Sequence, residues 1–434
     1  MSLSIPRSAQ ERMACPDCGL IQLLPPRKRG DVAECSRCGH VLAGAATGRV
    51  DVPLTLSVTA LLLLVPATAA QLMSVSTFGA HRASWLYSGV GTLWRAGFES
   101  LAVLVSAFSI VLPIAFLTLL VAVLGGLHFG VQGPLGKLYR WAVYLRPWMM
   151  LEVYLVGCFV AYSRLRAIAP VDVGLGGWCL VGATFALLLA LTQLDDRTVW
   201  EALPVKHPDA RPAARARGRP DERSDERPTA GPTERTGNVL SCTVCDLIVS
   251  NARRGKACPR CGATLRSRKP NAIQLTAALV VAGYLLYIPA NLLPVLTIMR
   301  FGREEQNTIM SGVFELIQEH LWPLALIVFV ASIVLPLMKL SALTWMLIAT
   351  RRRSSHALVG RTRLYRVIDL VGRWSNIDVF MTSVLVAILQ FGAVTAVHAA
   401  DGLVAFAAVV VLTMVATLAF DSRLMWDAAR SVHD

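Results

Sequence analysis

Eight long apolar runs restrict this chain to folds that cross a membrane. They lie near residues 54–74, 98–126, 142–163, 173–194, 273–299, 321–349, 376–397 and 402–420. A helix needs about 20 apolar residues to cross a hydrocarbon core about 30 Å thick. In lipid every backbone polar group needs an internal partner, which favours helices over irregular chain. The sequence therefore predicts an all-α polytopic membrane protein with eight transmembrane helices.

The basic residues predict the orientation of these helices. With a cytoplasmic N-terminus, most of the 42 Lys and Arg residues fall in the segments 1–53, 127–147, 195–272, 350–373 and 421–434. Cytoplasmic segments next to membrane helices carry such an excess of cations. We therefore expect both termini in the cytoplasm. The formal net charge of +14 then reflects topology, and we expect no nucleic-acid partner.

Eight of the ten cysteines form two sets of paired Cys-x-x-Cys motifs. The sets are Cys15, Cys18, Cys35 and Cys38, and Cys242, Cys245, Cys258 and Cys261. In a reducing cytoplasm such pairs favour a metal over disulfides, and four thiolates suit tetrahedral Zn²⁺. Separate redox motifs are the alternative. Because four cysteines leave no open coordination position, we expect two structural zinc ribbons rather than a catalytic metal.

The ribbons belong to an internal duplication. An offset of 223 residues pairs Cys38 with Cys261, "VPAT" (65–68) with "IPAN" (288–291) and "SIVLP" (109–113) with "SIVLP" (332–336). After a three-residue insertion, an offset of 226 pairs "RPWMMLEVY" (146–154) with "GRWSNIDVF" (372–380). Each copy is predicted to be a ribbon followed by four helices. Four crossings are an even number, so the copies share one orientation and form a parallel repeat.

The duplication also predicts the domain boundaries. In chain order we expect a ribbon segment, a four-helix unit, a linker, a second ribbon, a second four-helix unit and a tail. Their limits are 1–53, 54–194, 195–240, 241–270, 271–420 and 421–434. The linker is rich in Arg and Pro and poor in apolar residues, which is the composition of a disordered segment.

One charged residue of the second copy lies inside a predicted membrane helix. Lys339 stands within the apolar stretch 332–347 and corresponds to Phe116 of the first copy. A lysine there costs about 2.5–3.5 kcal/mol on insertion scales. We therefore expect it to face the bundle interior and to find a partner, for which Asp378 is the nearest acidic candidate of the same copy. A side chain that snorkels to the cytoplasmic interface is the alternative.

The second copy is the more polar one throughout, and we predict that it contains a transport pocket while the first copy serves mainly as a scaffold. The predicted pocket residues are Asn291, Ser332, Lys339, Ser375, Asn376, Asp378 and Ser383. Glu152, the counterpart of Asp378, is a weaker candidate. Pro289 and Pro294 in helix five and Pro336 in helix six are further weak candidates, because interrupted helices at matching places mark substrate sites. Plain helix kinks are the alternative.

A ribbon plus four helices, twice over, with "IPANLLPV" and "RWSNIDVF" in the second copy, resembles the paraquat-inducible protein A family (PqiA/LetA). The resemblance spans nearly the whole chain outside the linker. It implies an inner-membrane subunit that partners a periplasmic MCE-domain protein (PqiB/LetB-like) and moves phospholipid between the two membranes of a Gram-negative envelope. The first copy departs from the pattern, because "RPWMMLEVY" replaces the polar form of the second motif.

Motifs of ATPases and hydrolases are missing from the sequence. It contains no Walker A loop, no G-x-S-x-G and no H-E-x-x-H, so we expect no catalytic residues and no enzyme. Two other functions remain open. One is a secondary transporter of a small amphiphile or drug without an MCE partner, and the other is a membrane-anchored protein whose ribbons bind a cytosolic partner.

Overall fold

The computed structural model describes most of the chain outside the linker. The described segments are 11–24, 32–43, 50–77, 80–131, 133–166, 169–205, 240–249, 254–300, 303–389 and 395–430. Most of the predicted linker, residues 206–239, lies outside the described residues.

The first copy begins with the two hairpins of a ribbon and continues in helices and a small sheet. Its strands are β1 (Glu11–Ala14), β2 (Ile21–Leu24), β3 (Ala33–Glu34), β4 (Val41–Ala43), β5 (Met73–Thr77), β6 (Ala80–Ser84) and β7 (Val171–Val173). Its helices are α1 (Asp51–Ala69), α2 (Ser88–Arg95), α3 (Glu99–Ser106), α4 (Leu112–His128), α5 (Leu135–Leu145), α6 (Leu151–Arg166), α7 (Leu175–Gln193) and α8 (Asp196–Ala202). A π-helical turn, Ala107–Val111, joins α3 to α4.

The second copy repeats this order of elements. Its strands are β8 (Leu240–Ser241), β9 (Ile248–Val249), β10 (Leu296–Arg300), β11 (Arg303–Asn307) and β12 (Thr395–Ala399). Its helices are α9 (Ala272–Leu292), α10 (Ile309–Gln318), α11 (Trp322–Phe329), α12 (Leu335–Arg351), α13 (Leu358–Val371), α14 (Ile377–Ile388), α15 (Asp401–Ala419) and α16 (Arg423–Arg430). A π-helical turn, Val330–Val334, joins α11 to α12, and a 3-10 turn, Gly372–Asn376, precedes α14.

Six helices in the described part of the chain are long and apolar enough to cross a membrane. They are Asp51–Ala69, Glu99–His128, Leu175–Gln193, Ala272–Leu292, Trp322–Arg351 and Asp401–Ala419. The predicted third and seventh spans are shorter, because α6 has 16 residues and α14 has 12. The apolar run 376–397 is divided between α14 and β12, so its length does not correspond to one helix. The fold is thus mostly helical and polytopic, but the count of eight full spans is not confirmed.

The two short helices, α6 and α14, pack against each other in the interior of the bundle. A Cβ on Gly157 of α6 would lie 3.0 Å from the Cβ of Phe380 and 3.1 Å from the backbone nitrogen of Met381. The rings of Tyr154 and Phe380 lie 5.4 Å apart. Eleven of the 12 residues of α14 are buried. Each copy therefore contributes one short helix to the centre of the bundle.

Two three-stranded antiparallel sheets correct the prediction of an all-α fold. Their strand orders are β6-β5-β7 and β11-β10-β12. The apolar run 273–299 concealed β10, because the helix ends at Leu292 and the strand that follows is apolar as well. Hydropathy measures how apolar a segment is, and short apolar strands and helices are hard to distinguish on that basis.

Each ribbon packs on helices of the other copy. The carboxylate of Asp17 in the first ribbon accepts a 2.5 Å hydrogen bond from Arg366 of α13, and the carbonyl of Pro16 accepts one of 2.8 Å from Arg423 of α16. In the second ribbon the backbone of Arg260 lies directly against Gly136 of α5. The ribbons therefore tie the two copies together at the end of the bundle opposite the sheets.

The first residues of the predicted linker 195–240 are folded and form a helix. The helix α8 covers Asp196–Ala202, and its residue Trp200 is buried against the ring of Tyr139, 4.8 Å away between centroids. This packing shows that the folded part of the first copy continues beyond residue 195.

Candidate metal centres and buried polar site

The structure brings each set of four cysteines together. Within each set the four Sγ atoms lie within 4.8 Å of one another, and all eight residues are buried. The shortest Sγ–Sγ distances are 3.5 Å and 3.6 Å in both ribbons. A tetrahedral ion with Zn–S bonds of about 2.3 Å would hold its sulfurs about 3.8 Å apart. Both clusters therefore fit a tetrahedral metal ion.

Tight turns after each Cys-x-x-Cys motif create this arrangement. Gly19, Gly39 and Gly262 have φ values of 71°, 65° and 71°, a region that residues without a Cβ adopt at little cost. The amide of each glycine donates a hydrogen bond to the carbonyl of the cysteine four residues earlier. In the fourth turn Asp246 takes the place of the glycine, with φ 51°. The chain thereby folds back, and both sulfurs of the motif point to one side.

Lys339 is buried where α12 packs against the end of α13. Its residue is 1% exposed, and Nζ donates a 2.5 Å hydrogen bond to the backbone carbonyl of Gly372. Gly372 follows α13 directly. The ammonium therefore lies at the C-terminal end of α13, where carbonyls lack partners within the helix and the helix dipole favours a cation.

Gly372 leaves the space that this contact needs. A Cβ on Gly372 would lie 2.6 Å from Cε and 3.0 Å from Nζ of Lys339. In the first copy the corresponding residues are Arg146 and Phe116. The lysine and the glycine thus form a unit that only the second copy contains, and this unit fastens the junction between α13 and α14 to α12.

Asp378 is not in contact with Lys339. Across the described segments no ion pair joins the two; instead, Asp378 accepts a hydrogen bond from the hydroxyl of Ser332 in the π-helical turn. Ser332 precedes Lys339 by seven residues, which is about 10 Å along a helix, so the two charges lie at different levels. The structure therefore does not support a direct Lys339–Asp378 ion pair.

Three more polar residues around Asp378 are fully buried. Ser375, Asn376 and Thr382 are each 0% exposed. The amide nitrogen of Asn376 contacts the sulfur of Met150 in the first copy, 2.8 Å away. The hydroxyls of Ser375 and Thr382 and the amide oxygen of Asn376 have no hydrogen-bond partner in the described structure. Such groups cost about 1–3 kcal/mol each when unsatisfied, so this interior is suited to water or to a polar ligand.

The weaker candidate Glu152 makes a salt bridge between the copies. Its carboxylate lies 2.9 Å from the guanidinium of Arg373, which precedes α14. Arg373 was not among the predicted residues, although it corresponds to Pro147 and so is another difference between the copies. Each of these two carboxylates has one oxygen with a partner, Arg373 for Glu152 and Ser332 for Asp378, and one buried oxygen without a partner in the described structure.

A pocket lies between α6, α10, α14 and the sheet of the second copy. Its cavity volume is about 40 Å³. Its polar lining includes Arg164 from the end of α6, Glu315 from α10, and Asp378 and Thr382 from α14. The sequence analysis missed Arg164 and Glu315, whose counterparts are Gln390 and Thr92. A complete comparison of the copies would have found both. Lys339 does not line this pocket.

Several predicted residues lie elsewhere. Asn291 donates to the carbonyl of Tyr287 in its own helix. Ser383 faces Gly89 of α2, and its backbone and side chain would both clash with a Cβ there. Neither residue is part of the lining of the pocket beside Arg164.

The three prolines differ in position. Pro289 lies inside the last turn of α9, as predicted for helix five, whereas Pro294 lies beyond the helix end and does not interrupt it. Pro336 stands in the first turn of α12, directly after the π-helical turn. The helix Trp322–Arg351 continues through this turn, and proline has no backbone N–H to bond to the preceding turn. Pro336 and the π-helical turn that contains Ser332 therefore interrupt this long helix together.

Comparisons with known proteins agree with the repeated architecture. The family model described as "Paraquat-inducible protein A" matches residues 50–204 and 273–430, one stretch in each copy. The "Intermembrane transport protein PqiA" of Escherichia coli (strain K12) is 29% identical over 421 residues, which is 96% of both chains.

Two further relatives have similar extents. The "Lipophilic envelope-spanning tunnel protein A" of the same strain is 27% identical over 98% of this chain and 93% of its own. The "Probable intermembrane transport protein" of Haemophilus influenzae is 24% identical over 95% of both chains. No solved structure matches the chain. With both helical units matched by the family model, the chain belongs to the paraquat-inducible protein A family.

Proposed function

We propose that this protein is the inner-membrane subunit of an intermembrane phospholipid transport system. It passes lipid between the inner membrane and a periplasmic MCE-domain partner, through the polar site of the second copy. The observation that carries the proposal is the presence of two buried side chains, Asp378 and Thr382, in the lining of the pocket beside Arg164, each with an atom that has no hydrogen-bond partner in the described structure. Relatives that align with nearly the whole chain are named as intermembrane transport proteins, which supports the same function.

The second copy combines two features that a lipid carrier needs. Ionisable groups within a membrane bundle are retained for a substrate path or for a partner, and Asp378 has one oxygen available for either. The lining of the pocket also includes the apolar residues Val295, Val328 and Met381, which would contact the apolar part of a bound lipid next to its headgroup. Lys339 is not part of the pocket lining. It holds the α13–α14 junction through its bond to Gly372, so we assign it a positioning role.

The two Cys₄ clusters are proposed to hold one structural Zn²⁺ each. Four thiolates complete the coordination of the ion, which leaves no position for a substrate. The metal would therefore stabilise the ribbons, and through Asp17 and Arg260 the contacts between the copies. We propose no catalytic role for the metal and no enzyme activity for the chain.

Co-purification followed by mass spectrometry tests this function. The full chain, extracted from bacterial membranes in mild detergent, is expected to retain a periplasmic MCE-domain protein together with phospholipid. Recovery of a cytosolic partner, with neither an MCE-domain protein nor lipid, would contradict the proposal and favour an interaction protein. Recovery of a small amphiphile without an MCE-domain protein would favour a secondary transporter.

Reporter fusions test the orientation. Residues 80 and 305 lie in strands of the three-stranded sheets, and residue 400 follows β12. We expect fusions after these residues to report a periplasmic location, because the distribution of Lys and Arg places the opposite end of the bundle in the cytoplasm. Fusions after residues 210 and 360 should report a cytoplasmic location, as the distribution of Lys and Arg predicts. A periplasmic result at residue 210 would be incompatible with two copies in the same orientation.

A further inference from the structure

Charges of both signs line the pocket without pairing to each other. Arg164 comes from the first copy, and Glu315 and Asp378 come from the second. Within the described segments none of the three takes part in an ion pair. The space between opposite charges is thus left for a ligand.

Polar atoms without partners point to the same space. The Nε of Arg164, one oxygen of Asp378 and the hydroxyl of Thr382 are buried without a hydrogen-bond partner. Asp378 and Thr382 are only 3% and 0% exposed. Because buried unsatisfied groups destabilise a fold, native proteins keep them mainly where water, an ion or a ligand completes them.

The two sides of the central helix pair are packed differently in the described structure. In the first copy Gly89 of α2 lies directly against Ser383 of α14. Its counterpart, Gly312 of α10, has as its nearest neighbour the terminal guanidinium nitrogen of Arg164, 3.7 Å from an added Cβ. The opening therefore depends on residues that differ between the copies, and it is not a general feature of the repeat.

We propose that this pocket binds the headgroup of a zwitterionic phospholipid with a primary ammonium, as in phosphatidylethanolamine. Arg164 would bind the phosphate, and Asp378, Glu315 and Thr382 would bind the ammonium. The inference rests on the proposed function, because it takes a phospholipid as the substrate and names its class.

Charge and hydrogen bonding both select this headgroup. One guanidinium and two carboxylates give the pocket an excess of negative charge, so an anionic headgroup such as phosphatidylglycerol is disfavoured. A guanidinium binds a phosphate with two parallel hydrogen bonds. A primary ammonium has three donors for the oxygens of Asp378, Glu315 and Thr382. The quaternary ammonium of phosphatidylcholine has none, so these oxygens would stay unsatisfied.

Lipid competition on the purified full chain tests the proposal. The chain is incubated in detergent with equal amounts of dioleoyl phosphatidylethanolamine, phosphatidylcholine and phosphatidylglycerol, and retained lipid is measured by native mass spectrometry. We expect about tenfold preference for phosphatidylethanolamine, since a hydrogen bond to a charged group contributes enough for such a factor. Arg164→Gln should reduce its retention about tenfold. The matched control Arg166→Gln, an exposed position on the same helix, should not.

A second variant keeps the test decisive if Arg164→Gln fails to fold. Glu315→Gln removes one carboxylate, so it should increase retention of phosphatidylglycerol and reduce the preference several-fold. Equal retention of the three lipids by the unmodified chain, or an unchanged ratio in Glu315→Gln, would overturn the headgroup assignment. In that case bound lipid and an MCE-domain partner would still support the proposed function. Absence of any bound lipid would contradict both.

Discussion

Replacing Cys258 with serine is expected to empty the second ribbon of its metal and to lower the amount of folded protein several-fold. In small ribbons the binding energy of the metal is also folding energy, with apparent values of about 10–16 kcal/mol for zinc-finger peptides. The second ribbon also covers α5 at Gly136, so its loss would expose part of the first copy. Metal analysis should fall from about two zinc ions per chain to about one.

A cysteine outside the clusters provides the control. Cys179 lies half-buried in α7 and belongs to neither set, so Cys179→Ser should leave metal content and membrane abundance close to those of the unmodified chain. Equal metal content in the two variants would show that Cys258 binds no metal. Equal abundance would show that the ribbon does not contribute to folding.

Replacing Lys339 with methionine is expected to abolish most transport while the protein still inserts. The change removes a charge that costs about 2.5–3.5 kcal/mol to place in a membrane helix, so insertion is not impaired. It also removes the hydrogen bond to the carbonyl of Gly372, which releases the α13–α14 junction and with it Asp378. Membrane abundance and survival under envelope stress are the two measurements.

Two variants separate this effect from a general loss of charge. Arg352→Gln, at the exposed end of the same helix, should preserve survival. Gly372→Ala keeps the lysine but places a Cβ within 3.0 Å of Nζ, so it should impair transport as Lys339→Met does. Normal survival of Lys339→Met at normal abundance would show that transport does not depend on Lys339.

Features that depend on local sequence could be predicted. The Cys-x-x-Cys pairs identified both four-cysteine clusters, because the turn chemistry around Gly19 and Gly262 is encoded within a few residues. The offset between the copies identified their repeated order, and the apolar counterpart Phe116 identified Lys339 as a buried charge. Ser375, Asn376 and Asp378 were found in the same way. In each case the signal lay in a short segment or in a comparison of two segments.

Contacts between distant segments could not be predicted. The partner of Lys339 is a backbone carbonyl, and no side-chain pattern indicates which carbonyl of the chain faces a given lysine. Asp378 instead meets Ser332, because the π-helical turn places that hydroxyl at the level of α14. The short length of α14 was also hidden, since β12 continues the apolar run. The crossed packing of the ribbons depends on Asp17 and Arg366, which are far apart in sequence.

Site-specific photo-crosslinking of lipid tests the central claim most directly. A photoreactive phenylalanine analogue is placed at Thr308, which lines the pocket of the second copy, and at Trp85, the equivalent position of the first copy. After irradiation in native membranes, adducts are identified by mass spectrometry. The account predicts phospholipid adducts at position 308, several-fold more abundant than at position 85. Equal labelling at both positions, or none at 308, would contradict transport through the second copy.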